Sequence, residues 1–284
     1  MLFPKLAILA SAASLATFAV AEETYDEVVD GYRFIKSGPK ELKPKDNYEL
    51  EFARFTLNLL KTRIGADGLI ELLQPDIKEA DAFWHDVVDR STDKWVPTDG
   101  RAVAFLPNLT AYSFAAWSQS PFADRSNNAA NPEHYVKRTT NLNGTLQSEI
   151  LEGWGGVTTH FSISDYSSPP NRAKLPMLRE LPEFPFQAAG DKVLRDGTKT
   201  RFGVLHISAR DVPGKEYGSD IPGVDIYATV WYGDGVEDEH IEVERQHITV
   251  EIINQSIQAQ KDIASGEFKP PALPSASSSK RWLA

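Results

Sequence analysis

The six histidines are the side chains best able to move protons near neutral pH, and their neighbours decide which of them have partners. His85 stands in Trp84-His85-Asp86-Val87-Val88-Asp89, where a helix brings Asp89 one turn further along the same face. An imidazole oriented by a carboxylate is a workable general base. The same spacing also makes an ordinary surface pair worth a few tenths of a kcal/mol. His206, in Phe202-Gly-Val-Leu-His206-Ile-Ser, shares an expected strand face with Phe202 and Val204. Tyr227 shares its own strand face with Asp225 and Trp231 and is the group that would pair with His206. His85 with Asp89, and His206 with Tyr227, are therefore the candidate catalytic residues. The chemistry they fit is cofactor-independent elimination, isomerisation or cyclisation. His160, also on an expected strand, reads as a core histidine.

A longer pattern runs near the C-terminus: Glu237-x-x-His240-x-x-x-Glu244-x-x-His247-x-x-x-Glu251. On one continuous helix these residues share a face, and Glu-x-x-His is a known di-metal device. Such a site needs ligands from other helices, and the sequence identifies none. A sequon at Asn254 also falls beside His247. The expectation is a solvated charged face, with no metal and no cofactor. No Gly-x-Ser-x-Gly elbow, phosphate loop, His-Glu-x-x-His or calcium loop occurs elsewhere.

Residues 22–45 are charged and interrupted by Gly-Pro and Lys-Pro, and they read as a loose entry segment. Helices follow: one from Asp46 to near Gly65, one over 69–73, and one with Ile77, Ala80, Trp84 and Val87 on a single face. Strands are expected over 101–106 and 109–117, with a polar loop over 122–132. A hairpin over 134–152 turns at Asn143-Gly144, and its second strand is expected to bend at Gly153-Trp154-Gly155-Gly156 and continue to Ile163. Five prolines make 166–189 an irregular covering loop, and further strands are expected at 201–209 and 224–232. In 237–265 the apolar residues form two groups rather than one stripe. The β-branched run at 248–250 favours a strand followed by a shorter helix from about Asn254.

These elements make an α+β chain: N-terminal helices, a curved and mostly antiparallel sheet of the cone-shaped or helix-grip barrel kind, and a C-terminal helix. The expected organisation is a signal peptide over 1–21, one α+β domain over 22–265, and a Pro- and Ser-rich disordered tail over 266–284. The signal reading rests on Lys5, an apolar stretch from Leu6 to Val20, and Ala19-Val20-Ala21 as a cleavage site. Export makes the sequons at Asn108, Asn143 and Asn254 candidate glycosylation sites, with Asn143 best placed on a hairpin tip.

The chain has a formal net charge of −10 and no cysteine. The charge disfavours nucleic acid and anionic membranes as partners, which require clustered cations. The absence of cysteine removes disulfides and thiolate metal sites. What remains is a secreted protein enclosing a small apolar or aromatic molecule, with lyase, isomerase or cyclase activity if it is an enzyme. The alternative is a non-catalytic secreted or cell-surface binding protein.

Overall fold

The computed structural model describes residues 23–38, 42–142 and 145–272. The signal peptide expected at 1–21, the sequon Asn143 and most of the tail expected at 266–284 lie outside them. The chain divides into two compact units, with the boundary after Thr56.

In the first unit, β1 (Glu23–Val29) and β2 (Tyr32–Gly38) form an antiparallel hairpin. The loose segment expected over 22–45 is thus partly ordered. Its reversal is Asp30-Gly31, both at positive φ, the geometry of a tight two-residue hairpin turn. Cross-strand ion pairs, Arg33–Asp26 at 2.6 Å and Lys36–Glu27 at 2.7 Å, hold a pair of strands with little core of their own. Helix α1 (Lys45–Leu72) begins in this unit and is broken at Gly65, where the sequence ends its first helix.

The second unit carries α2 (Gln74–Arg90), with Pro75 in its first turn and Ile77, Ala80, Trp84 and Val87 buried, the stripe read from the sequence. After β3 (Trp95–Ala104) come α3 (Ala111–Ser118) and α4 (Phe122–Ala130). Both correct the sequence reading, which made 109–117 a strand and 122–132 a loop. A reciprocal capping box decides the first: Ser113 N–H donates to Thr110 Oγ1 at 3.1 Å, and Thr110 N–H donates to Ser113 Oγ at 2.9 Å. In the second, the buried face is Ala123, Ser126 and Asn127, with a single apolar residue among the three.

Five hairpin connections then link β4 (His134–Leu142), β5 (Thr145–Trp154), β6 (Val157–Ser167), β7 (Phe186–Leu194), β8 (Arg201–Val212) and β9 (Gly223–Gly233). The strand expected to run on through Gly155-Gly156 instead reverses there. Both glycines adopt positive φ and Trp154 pairs with Val157, so the glycines are a turn and not a bulge. The sheet order is β3-β9-β8-β7-β6-β5-β4, antiparallel throughout.

Helix α5 (Asp238–Ala264) is one continuous helix, against the strand-then-helix reading. Its buried residues are His240, Glu244, Ile248, Ile252, Gln255, Ser256, Ala259 and Asp262, five of the eight polar. That composition hid the stripe, because Val250, Ile253 and Ile257 face outward at 41–49% exposure while charged groups face inward. The stripe packs over the sheet, where Ile248 and Ile252 join Phe161, Ile226 and Val230 in the main core. On the opposite sheet face, Leu175 and Leu178 of the Pro-rich segment cover Ala189, Val204 and Trp231. A large curved antiparallel sheet closed on a long C-terminal helix is the helix-grip form of the α+β class read from the sequence.

Candidate functional site

Strand alternation aims Glu152 of β5, Lys192 of β7 and Tyr232 of β9 toward α5, which presents Glu244 and His247 to them. All five are buried or nearly so. Lys192 Nζ stands 3.5 Å from Glu152 Oε1 and 3.9 Å from Glu244 Oε1, with the Phe161 ring centroid at 4.5 Å. Tyr232 O–H donates to Glu244 Oε1 at 3.1 Å, and Trp154 Nε1–H donates to Glu152 Oε1 at 3.2 Å. Burial alone would raise the Glu152 carboxyl, but Lys192 with His134 and His247 outweighs it and brings it down to about 2. Burial pushes the Tyr232 phenol well above its ordinary value, and Glu244 adds to this. The result is a buried lysine between two carboxylates, surrounded by aromatic rings.

A second knot adjoins the first through His247. Its Nδ1 lies 3.1 Å from Glu244 Oε2, and its Nε2 lies 3.4 Å from Glu133 Oε1. Burial disfavours the imidazolium, but Glu133 and Glu244 overcome this and raise His247 to about 11. His134, at the start of β4, sets Nδ1 at 2.5 Å from Asn127 Oδ1. Its Nε2 faces Glu152 Oε2 at 3.4 Å and Glu251 Oε1 at 3.6 Å. One donor atom from each of Glu133, His134 and His247 lies within 4.8 Å of the others, so these three are the residues placed to hold a metal ion. The solvated face expected for 237–251 is corrected: Glu244 and His247 are buried, while Glu237 caps the helix at its exposed end.

Beside Lys192 lies a cavity of about 60 Å³ between the sheet and α5. Its apolar walls are Phe161, Leu205, Ile226 and Val230 from the sheet and Ile248 and Ile252 from the helix, and Glu251 and Gln255 of the helix also line it. Glu152, Lys192, Glu244 and His247 gather at its polar end. This volume corresponds to a few water molecules and is below the roughly 150 Å³ that accepts a benzene-sized guest.

The residues singled out from the sequence lie elsewhere. His85 is half-exposed on α2, and its Nε2 meets Asp196 Oδ2 of the β7–β8 connection at 2.7 Å; Asp89, expected beside it, is exposed near the helix end. His206 is buried, but on the sheet face under the Pro-rich segment. A register shift leaves Phe202 unpaired, so its ring turns to Trp84 and Phe161 and does not share the His206 face. Gln187 fixes the histidine: its amide N–H groups donate to the carbonyls of Leu181 and Phe184, so its Oε1 accepts from His206 Nε2 at 3.1 Å. Tyr227, Asp225 and Trp231 lie on this same face, and Tyr227 O–H is hydrogen-bonded by Arg179, which also pairs with Asp99 at 2.6 Å. His206 and Tyr227 thus share a face two register positions apart, away from the cavity. His160 pairs with Glu149 at 2.9 Å.

Asn108 is exposed in the turn before α3. Asn254 is half-buried, and its amide N–H donates to Asn131 Oδ1 at 3.1 Å. The sequence pattern on α5 pointed to Glu244, His247 and Glu251. Nothing in it pointed to Glu152, Lys192, Glu133 or His134, which meet α5 only through the sheet.

No family model and no curated protein matches the chain. Among solved structures it is similar to Ara h 8.0201, at 8% identity over 61% of this chain and 99% of that one, with a TM-score of 0.35. It is similar to truncated norcoclaurine synthase from Thalictrum flavum, at 10% identity over 62% of this chain and 96% of that one, with a TM-score of 0.34. A putative uncharacterized protein from Rhizobium leguminosarum matches at 13% identity over 59% of this chain and 99% of that one, with a TM-score of 0.35. Identities and scores of this size transfer neither a ligand nor an activity.

Proposed function

We propose that the chain is a secreted small-molecule protein whose binding site is the cavity between the sheet and α5. The observation that carries this reading is a buried ammonium group, Lys192, set among carboxylates on one side of a cavity whose other side is apolar. A few convergent polar groups in an apolar enclosure are what a small-molecule site requires, since apolar walls give affinity and the polar end gives orientation. The cavity's size selects compact molecules, with α5 as the wall that yields, because the other walls belong to a hydrogen-bonded sheet. A compact molecule bearing one acidic or hydroxyl group matches the chemistry of both sides, and an aromatic one enters as α5 shifts outward. The acid–base chemistry expected from the sequence then belongs to Lys192, Glu152 and Glu244 rather than to His85 or His206, as proton transfer to a group held against Lys192. Secretion rests on the N-terminal sequence and on exposed Asn108.

The test is binding of phenol to the purified full chain, followed by calorimetry and by chemical-shift changes. Saturable binding to the wild type, lost in a cavity-filling Ala228→Leu variant and weakened in Lys192→Met, is the expected result. No saturable binding to the folded wild type, or binding equal in Ala228→Leu, overturns the reading.

A further inference from the structure

We propose that Glu133, His134 and His247 form a binding site for one divalent first-row transition ion of the zinc class, next to the cavity. Two imidazoles and a carboxylate are a donor set that zinc accepts, whereas calcium and magnesium take oxygen donors. Zinc bonds of about 2.0–2.1 Å in a tetrahedron place neighbouring donors roughly 3.3 Å apart. The Glu133–His247 edge already measures 3.4 Å, and the remaining donors need to close by at most about 1.5 Å from their 4.8 Å limit.

Both imidazoles are held in the orientation that a metal ligand needs. His134 Nδ1 is engaged by Asn127 Oδ1 and His247 Nδ1 by Glu244 Oε2, which leaves each Nε2 facing the shared point. A histidine whose second nitrogen is held by an amide or carboxylate oxygen is the usual outer shell of a metal site. Glu133 Oε1, His134 Nε2 and His247 Nε2 are all buried without a hydrogen-bond partner. The side chains of His134 and His247 are 2% and 7% exposed, so water does not satisfy these atoms in passing. Glu133 Oε1 and His247 Nε2 have only their mutual ion-pair contact at 3.4 Å, and His134 Nε2 only long contacts to Glu152 and Glu251, so a shared ion would satisfy all three.

The charges agree with this assignment. Glu133, Glu152, Glu244 and Glu251 surround the knot; the ammonium groups near it are Lys192, and Lys61, which is held by the Asn128 carbonyl at 2.7 Å. The four carboxylates outnumber these two ammonium groups, and a divalent ion held at the two Nε2 atoms offsets that excess. Glu152 and Glu251, 3.4 and 3.6 Å from His134 Nε2, are positioned as a fourth ligand, and both line the cavity.

The experiment uses the untagged full chain, stripped with a chelator and desalted after incubation with one equivalent of zinc, cobalt(II) or calcium. Expected are about one zinc retained per chain by elemental analysis, a visible cobalt spectrum of mixed nitrogen and oxygen coordination, and no calcium. Glu133→Gln and His247→Gln each lose zinc affinity at least tenfold, Asn127→Ala loses 10- to 100-fold through the loosened ring, and His85→Gln is unchanged. Far-ultraviolet circular dichroism confirms that each variant is folded, and Glu133→Gln, at a partly exposed position of equal size, serves if a histidine variant is not. Zinc retained at less than a tenth of an equivalent by folded wild type overturns the proposal. So does retention unchanged in Glu133→Gln. No cavity ligand is present in this measurement, so it fails independently of phenol binding.

Discussion

His206 makes the fold sensitive to acid in a way that can be isolated. Burial, with Arg172 and Arg179 nearby, lowers its imidazole from 6.5 to about 4. The neutral ring alone suits the site, because its Nε2–H already donates to Gln187 and its surroundings are cationic. A histidine with a lowered folded pKa contributes nothing above pH 6.5, and costs stability as pH falls from there toward the folded value, because the unfolded chain takes up the proton first. At 1.36 kcal/mol for each pH interval, the full gap is worth about 3 kcal/mol, most of it lost between pH 7.5 and 4.5. At 2% exposure the residue needs no discount for solvent screening. His206→Gln keeps a donor near Nε2 but cannot take up the proton. Urea unfolding of both proteins at pH 7.5, 5.5 and 4.5 gives the difference directly, and histidines common to both cancel. The wild type should lose about 2–3 kcal/mol relative to the variant over this range, whatever the variant costs at pH 7.5. A difference constant to within about 0.5 kcal/mol would refute the buried neutral imidazole.

Other expectations follow from packing and charge. A methyl group at Gly100 would stand 2.5 Å from Ile248 Cγ2, so Gly100→Ala should cost about 1–3 kcal/mol in urea unfolding by lifting α5 from β3; a neutral result contradicts that approach. Trp84, 1% exposed and donating to Thr159 Oγ1 at 2.8 Å, should cost about 3–5 kcal/mol when changed to Ala, read as the shift of the thermal midpoint. Asp225 is fully buried between Arg101 at 2.6 Å and Arg210 at 2.8 Å; Asp225→Ala should cost about 2 kcal/mol, because both arginines can turn to water, and the cost should persist in 0.5 M salt. In a eukaryotic secretion host the released protein should begin at Glu22 and carry sugar at Asn108 by peptide mass spectrometry; retention of residues 1–21 contradicts export.

The fold was legible where burial and polarity agree. The Ile77–Ala80–Trp84–Val87 stripe, the 134–152 hairpin and strands β8 and β9 were read correctly because apolar residues mark their inner faces. The readings failed where an inner face is polar or small. Helix α5 buries His240, Glu244, Gln255 and Asp262, so its apolar residues no longer report its orientation. At Thr110 a side-chain cap outweighed the strand preference of the aromatics in 111–117. The hairpin signal at Asp30-Gly31 was present and was masked by surrounding charge. The candidate site was half legible: Glu244, His247 and Glu251 stand in one pattern on α5. Their partners Glu133, His134, Glu152 and Lys192 lie 50 or more residues away and meet them only through strand register, which no local spacing encodes.

The sheet order also sets a timetable for folding. From β4 to β9 every strand pairs with its neighbour in the chain, but β3 waits for β9, and the Asp99–Thr229 hydrogen bond spans 130 residues. Closing that loop costs roughly 2 kcal/mol more than closing a ten-residue hairpin, so β3 joins after the meander has formed. During synthesis β3 emerges long before its partner and travels with both edges unpaired. Folding of this chain therefore depends on keeping residues 95–104 from pairing with other chains until residues 223–233 have been made.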